Sequence, residues 1–208
     1  MSANAVNPAP TGLLLLSTWL PVELHDEFSA WCDDHHRELL TVPGFLRARR
    51  FAFVDGNTLD HADGGAPQFL TMYETTDISV LTSDEYIEHG RNSTGLPDFL
   101  KGKLRMTRLD CDLEPATPSD WWPGNLHPEL FMINHPGGEL FSDSDSGFRL
   151  TGDSVLPISI RSYRASQGPR VLLAEPTGNT RFDDVSPSSG SWSRWRCVFG
   201  ESAPVSAF

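Results

Sequence analysis

The spacing of hydrophobic positions changes several times along the chain, and each change predicts a new element. The apolar run at residues 13–19 is too short for an ordinary helix and predicts a first strand. From Pro21, a favourable first residue of a helix, apolar side chains recur every three or four positions as far as Leu39. This spacing predicts an amphipathic helix, which Val42-Pro43-Gly44 ends.

Residues 45–54 alternate two chemistries and predict a second strand. One face is small and aliphatic, apart from one arginine, and suits packing against a helix. This leaves the opposite face for some other environment. That second face carries Phe45, Arg47, Arg49, Phe51 and Phe53.

The remaining elements of the first half complete a known supersecondary order. Residues 68–75 predict a third strand, and Thr82-Ser83-Asp84-Glu85 fits a capping box that starts a second helix. That helix should break around residues 95–97, before a fourth strand at 104–113. The order β-α-β-β-α-β is the ferredoxin-like split unit. We therefore predict an α+β fold with this unit at residues 12–113.

The second half is predicted to be rich in strands. Residues 1–11 predict a disordered leader, and the proline-rich residues 114–128 predict a linker. Residues 129–208 then form either a shortened, degenerate second repeat, whose helices are lost or replaced by hairpins, or an unrelated β extension. The strands expected there lie at 130–135, 156–165, 170–175 and 192–199.

Charge and cysteine content narrow the classes of partner. The chain has 208 residues, with 28 acidic and 16 basic side chains and a formal net charge of −12. A net negative protein repels nucleic acid and anionic membrane surfaces, so we expect neither as a partner. Three widely spaced cysteines suggest neither a disulfide framework nor a thiolate zinc site. We expect a reduced, cytoplasmic protein.

Several stretches resemble one protein family. Residues 31–51, WCDDHHRELLTVPGFLRARRF, with 69–74 and 79–86, look like the dimeric α+β barrel superfamily, in particular its EthD-like branch. The resemblance covers about residues 13–112. It implies a small-molecule pocket lined by a curved sheet and its helices, usually completed by dimerisation. Known members include cofactor-free monooxygenases, polyketide cyclases, lactone isomerases, haem enzymes and accessory proteins.

Two adjacent histidines are the candidate catalytic residues. The family pattern places its helix histidine at His36 after an acidic residue, and here His35 occupies the acidic position. A helical wheel puts His35 inside the apolar stripe and His36 at its edge, beside Cys32. An imidazole beside an apolar pocket can act as a general base, and we assign that role to His36 ahead of His35. The alternative is a core histidine that only packs.

Five further residues are candidates for binding a substrate. Buried guanidinium groups need carboxylate partners or an anionic ligand, so Arg49 and its neighbour on the same face, Phe51, could select an acidic or phenolate molecule. The hydroxyls of Tyr73 and Tyr86 could orient a ligand oxygen, or these side chains could simply pack. Trp31 is the aromatic residue that the resemblance implies near the end of the first helix.

The sequence predicts no metal and no cofactor. Its seven histidines show no familiar metal-ligand spacing, although one well-placed histidine would be enough for haem. We expect a cofactor-independent enzyme of secondary or aromatic metabolism, of the cyclase, isomerase or monooxygenase type. Two alternatives are a non-catalytic ligand-binding or accessory protein and a haem-binding enzyme. The expected partner is a small hydrophobic or aromatic molecule, including an anionic one, in a homodimer or an intramolecular pairing of two repeats.

Overall fold

A computed structural model of the chain describes residues 9–56, 65–93, 95–114, 129–135, 148–150, 158–165, 170–176, 185–187 and 191–202. These residues form two α-helices and ten β-strands. The helices are α1 (His25–Leu39) and α2 (Asp84–Asn92). The strands are β1 (Gly12–Trp19), β2 (Phe45–Gly56), β3 (Phe69–Thr75), β4 (Arg105–Leu113), β5 (Glu129–His135), β6 (Phe148–Leu150), β7 (Ile158–Ala165), β8 (Arg170–Pro176), β9 (Val185–Pro187) and β10 (Ser191–Ser202).

Eight of the strands form a closed barrel within the chain. Their order around the barrel is β1-β3-β2-β10-β5-β8-β7-β4, and neighbouring strands are antiparallel. The first half of the chain contributes β4-β1-β3-β2, and the second half contributes β10-β5-β8-β7. The two halves join where β2 pairs with β10 and where β4 pairs with β7. The predicted α+β class is confirmed.

Apolar side chains from both halves of the chain form a cluster inside the barrel. On β2 and β3 these side chains alternate with residues of the outer face. Trp195 of β10 is fully buried there, and its indole N–H donates to the hydroxyl of Ser193 over 2.7 Å. Other members of this interior cluster are Leu13, Leu15, Phe51, Leu70, Met72, Cys111, Leu130, Tyr163, Val171 and Leu173.

The two faces of β2 separate largely as the alternation predicts. Ala48 packs in the layer between the sheet and α1, whereas Phe51 and Phe53 belong to the interior cluster. Phe45 is an exception to the prediction. A register shift between Phe45 and Arg47 turns Phe45 to the helix side, where its ring lies 5.8 Å from that of Tyr73.

Both helices begin later than predicted, α1 by four residues and α2 by one. Pro21 precedes a 3₁₀ turn at Val22–Leu24, and α1 starts only at His25. The N-cap of α2 is Ser83, whose hydroxyl accepts the backbone N–H of Tyr86 over 3.2 Å. The capping-box motif at 82–85 therefore predicts the correct helix, although the N-cap is Ser83 and not Thr82.

Gly44 explains the turn that joins α1 to β2. Its φ angle of +90° lies in the region that L side chains rarely adopt. A Cβ atom added there would lie 2.5 Å from Cγ2 of Val80. Glycine is therefore required both by the backbone and by the close approach of the segment that precedes α2.

The predicted strands of the second half are confirmed as β5, β7, β8 and β10. Within the described residues after Glu114 there is no helix, and β6 pairs with β9 in a separate two-stranded sheet. The predicted leader is described only at 9–11, where Thr11 donates its backbone N–H to the carbonyl of Thr75. The predicted linker is described only at Glu114, which is buried and accepts a 3.2 Å hydrogen bond from Arg164. Residues 1–8 and 115–128 lie outside the described residues.

Candidate functional site

The buried face of α1 differs from the helical-wheel prediction. Phe28, Cys32, His36 and Leu39 are buried, which makes His36 part of the central stripe. His35 lies at the edge of that stripe and is half-buried. The prediction that His35 is central was wrong, because the 28-32-36 row and not the 31-35 row faces the sheet.

His36 is enclosed between α1 and the outer face of the sheet. It is 0% exposed, and its ring lies 5.2 Å from Tyr73 and 4.8 Å from Phe199. Nε2 is 3.2 Å from the sulfur of Cys32, and Nδ1 has no hydrogen-bond partner among the described residues. Burial lowers the pKa of His36 to about 3, and the positive charge of Arg50 adds to the effect. At neutral pH this imidazole is uncharged.

Arg50 is a polar residue of this layer that the sequence analysis did not single out. Its guanidinium lies 2.9 Å from the carboxylate of Asp33 and donates to the carbonyl of Ser29 over 3.1 Å. It also lies over the rings of Phe28 and Phe69. The only sequence signal was its place on the otherwise aliphatic face of β2. This ion pair links the middle of α1 to the sheet.

The arginines on the other face of β2 pair with a carboxylate inside the barrel. Arg47 and Arg49 both form ion pairs with Glu74 of β3, and the Arg49–Glu74 distance is 3.6 Å. All three side chains are buried, and the Arg49 guanidinium lies 5.3 Å from the centre of the Phe51 ring. The sequence predicted a carboxylate or an anionic ligand here without naming Glu74. Only the pairing of β2 with β3, which sets Arg47 opposite Glu74, identifies the carboxylate.

The sheet separates residues that the sequence analysis assigned to one site. His36 and Tyr73 meet on the helix side, whereas Arg49 and Phe51 face the barrel interior. A single substrate between α1 and the sheet would contact the first pair and not the second. The geometry thus brings Tyr73 to His36 and keeps Arg49 away from both.

A second group of polar residues lies at the accessible edge where α1 meets α2. The ring of His35 stacks on Trp31 with centroids 5.2 Å apart and an interplanar angle of 8°. Its Nδ1 lies 3.8 Å from a carboxylate oxygen of Glu38, and its ring lies 6.2 Å from that of His89 on α2. Burial lowers the pKa of His35, and the Glu38 carboxylate partly opposes that shift. We call His35, Glu38 and His89 the outer cluster.

The sequence analysis found part of this region. It named His35, Trp31 and Tyr86, and Tyr86 lies three residues before His89, on the same side of α2. The Tyr86 hydroxyl accepts a 3.2 Å hydrogen bond from Arg108. Glu38 and His89 were missed. The spacing His-x-x-Glu places His35 and Glu38 on one helix face, but only the packing of α2 against α1 brings in His89.

Comparisons with known proteins do not identify the chain. No protein-family model matches it, and no curated protein matches it either. Among the described residues, no helix is both long and apolar enough to cross a membrane. The resemblance to the EthD-like branch therefore stays a prediction, and function must be argued from the sites themselves.

Proposed function

We propose that the chain holds two ferredoxin-like units that together build one barrel of the dimeric α+β type, the second unit being a degenerate repeat. The support is the strand order. When the barrel strands of each half are numbered from one to four, both β4-β1-β3-β2 and β10-β5-β8-β7 read 4-1-3-2. An unrelated β extension would have no reason to repeat this order. EthD-like ancestry is the family assignment that we attach to this proposal.

This assignment has a consequence for assembly. In a homodimer of the dimeric α+β barrel type, each chain would supply one half of the barrel. In this chain both halves are present, because β2 pairs with β10 and β4 pairs with β7. The barrel strands have no need of a partner chain to cover their edges. We expect a monomer of 23.0 kDa by light scattering coupled to size exclusion. Twice that mass would instead indicate a dimer built on another surface.

For activity, we propose a small-molecule enzyme of the cyclase, isomerase or monooxygenase type whose reacting centre is the outer cluster. The observation that carries the proposal is the stacked Trp31–His35 pair, which sets an imidazole beside Glu38 and His89 at an accessible edge. A flat aromatic substrate is suited to such a surface, because aromatic rings stack favourably. Trp31 and Tyr86 keep the substrate-binding roles predicted for them.

The roles of the buried candidates change in this proposal. His36 is fully enclosed, so a substrate could reach it only if α1 moved away from the sheet. Arg49 has a carboxylate, Glu74, within ion-pair distance inside the barrel. We therefore give His36, Tyr73, Arg49 and Phe51 packing roles. The general-base role predicted for His36 would require a rearranged α1.

A ligand screen tests the site. Planar aromatic and polyketide-like compounds are added to the isotope-labelled chain, and amide shifts are followed by NMR. We expect shifts to centre on α1 and α2 around the outer cluster, and His35→Gln or His89→Gln to weaken binding. His25→Gln, a half-buried histidine at the start of α1, is the matched control. Shifts confined to residues that face the barrel interior would contradict the proposed location.

Turnover separates the enzyme from its main alternative. The full burial of His36 favours a non-catalytic ligand-binding or accessory protein as the second candidate, because one of the two predicted catalytic histidines is then a packing residue. Compounds that bind at the outer cluster and are recovered unchanged would favour this alternative. Haem binding is checked in the same preparation, since a Soret band on haem titration would identify the third candidate.

A further inference from the structure

We propose that the outer cluster binds a divalent transition-metal ion through His35, Glu38 and His89. This inference rests on the proposed function for its catalytic meaning, since it names the cofactor of the same site. The sequence analysis predicted no metal. The third ligand is contributed by a second helix, and no spacing along the chain could reveal it.

The geometry of the three side chains fits such a site. One ligating atom from each residue lies within 4.8 Å of the other two. Zinc lies about 2.0–2.2 Å from nitrogen and oxygen ligands, which sets tetrahedral ligands about 3.3 Å apart. On binding, the cluster therefore tightens by at most about 1.5 Å. Glu38 is exposed and free to change rotamer, so its carboxylate can approach the two imidazoles.

Two further observations favour a ligand at this place. The Nε2 atom of His89 is buried and has no hydrogen-bond partner among the described residues. A buried polar atom without a partner is unfavourable, and because His25 Nε2 shares this state, it is the closeness of three possible ligands around His89 that points to a bound ion. In addition, the Trp31 indole holds the His35 ring in one orientation. Residues that orient a ligating imidazole raise metal affinity.

The donor set selects the class of metal. Two imidazole nitrogens and one carboxylate oxygen suit zinc and its first-row neighbours, whereas magnesium and calcium prefer oxygen ligands. Three protein ligands are also the number found in catalytic zinc sites, which leave a position for water or substrate. A structural site would instead be closed by a fourth protein ligand. We therefore expect zinc or cobalt at an open site.

The test uses the full chain without an affinity tag, since tag histidines would bind the probe. The protein is treated with a chelator, and Zn²⁺ is titrated by calorimetry and Co²⁺ by its visible absorption. We expect one ion per chain. His35→Gln, Glu38→Gln and His89→Gln should each weaken binding by at least about tenfold. His25→Gln and Glu27→Gln, which alter the same residue types on α1, should leave binding unchanged.

Each result decides one of the two proposals. No binding of either ion, or binding that survives all three ligand variants, would overturn the metal site. If binding is absent while His35→Gln still abolishes small-molecule binding, the metal site fails and the proposed function stands. If metal binds as expected while the ligand variants leave small-molecule binding unchanged, the proposed function fails and the metal site stands. Circular dichroism of every variant excludes loss of fold as the cause.

Discussion

Nε2 of His36 lies 3.2 Å from Sγ of Cys32, one helical turn earlier on the buried face of α1. The contact occupies one ring nitrogen of His36, and the Arg50–Asp33 ion pair lies in the same layer. Burial raises the pKa of the Cys32 thiol, which keeps it protonated at neutral pH. The pair is therefore an uncharged polar contact within the packing of α1 on the sheet.

Removing His36 should destabilise the fold. His36→Ala leaves a cavity beside Phe199 and Tyr73 and is expected to lower the free energy of unfolding by about 2–4 kcal/mol. His35→Ala, at the half-buried edge of the same helix, should lower it by about 1 kcal/mol or less. Urea unfolding followed by circular dichroism measures both. Equal, small effects would show that His36 is not a packing residue.

The three cysteines should differ sharply in reactivity. Cys32 and Cys111 are buried, whereas Cys197 is only partly buried. Burial raises the pKa of Cys111 to about 12, so its reactive thiolate is scarce at neutral pH. We expect a disulfide reagent to modify one thiol per native chain, at Cys197, and all three in denaturant. The variant Cys197→Ser should abolish the native reaction, and a second fast-reacting thiol would contradict the described packing.

Alkaline pH should destabilise the protein partly through Tyr73. The usual pKa of a tyrosine is near 10, and burial raises the pKa of Tyr73 well above it. Because the folded state holds this proton more tightly than the unfolded state, the linked stability is complete below about pH 10 and falls as pH rises further. We expect Tyr73→Phe to lose stability less steeply than the unmodified chain above pH 10. Parallel slopes in chemical unfolding at several pH values would contradict this.

Ion pairs inside the barrel should contribute more to the free energy of unfolding than ion pairs on the surface. Glu74→Gln leaves Arg47 and Arg49 without their shared carboxylate in a buried setting, and is expected to destabilise by about 3–5 kcal/mol. Glu201→Gln removes the exposed pair with Arg37, at 2.9 Å, and should leave the free energy of unfolding almost unchanged, because solvent screens exposed charges. Thermal and denaturant unfolding compare the two. Similar losses would argue against a buried ion-pair network.

Much of the fold follows from local pattern. The alternation in β2 separates Ala48 from Phe51, and the 3.6-residue spacing after Pro21 marks α1. These features are predictable because each depends on side chains close together in the chain. Even here, the register shift at Phe45 escaped prediction, since a bulge depends on pairing with a neighbouring strand.

The sites depend on contacts between distant residues, and the sequence determined less about them. Its pattern determined that an arginine-bearing face would meet either a carboxylate or a ligand, and that two histidines lie on α1. Only the tertiary structure decided that Glu74 meets the arginines, that His36 rather than His35 is enclosed, and that His89 joins Glu38 at the outer cluster. Spacing along one helix or strand fixes which side chains share a face, whereas the packing of elements far apart in sequence fixes what that face meets.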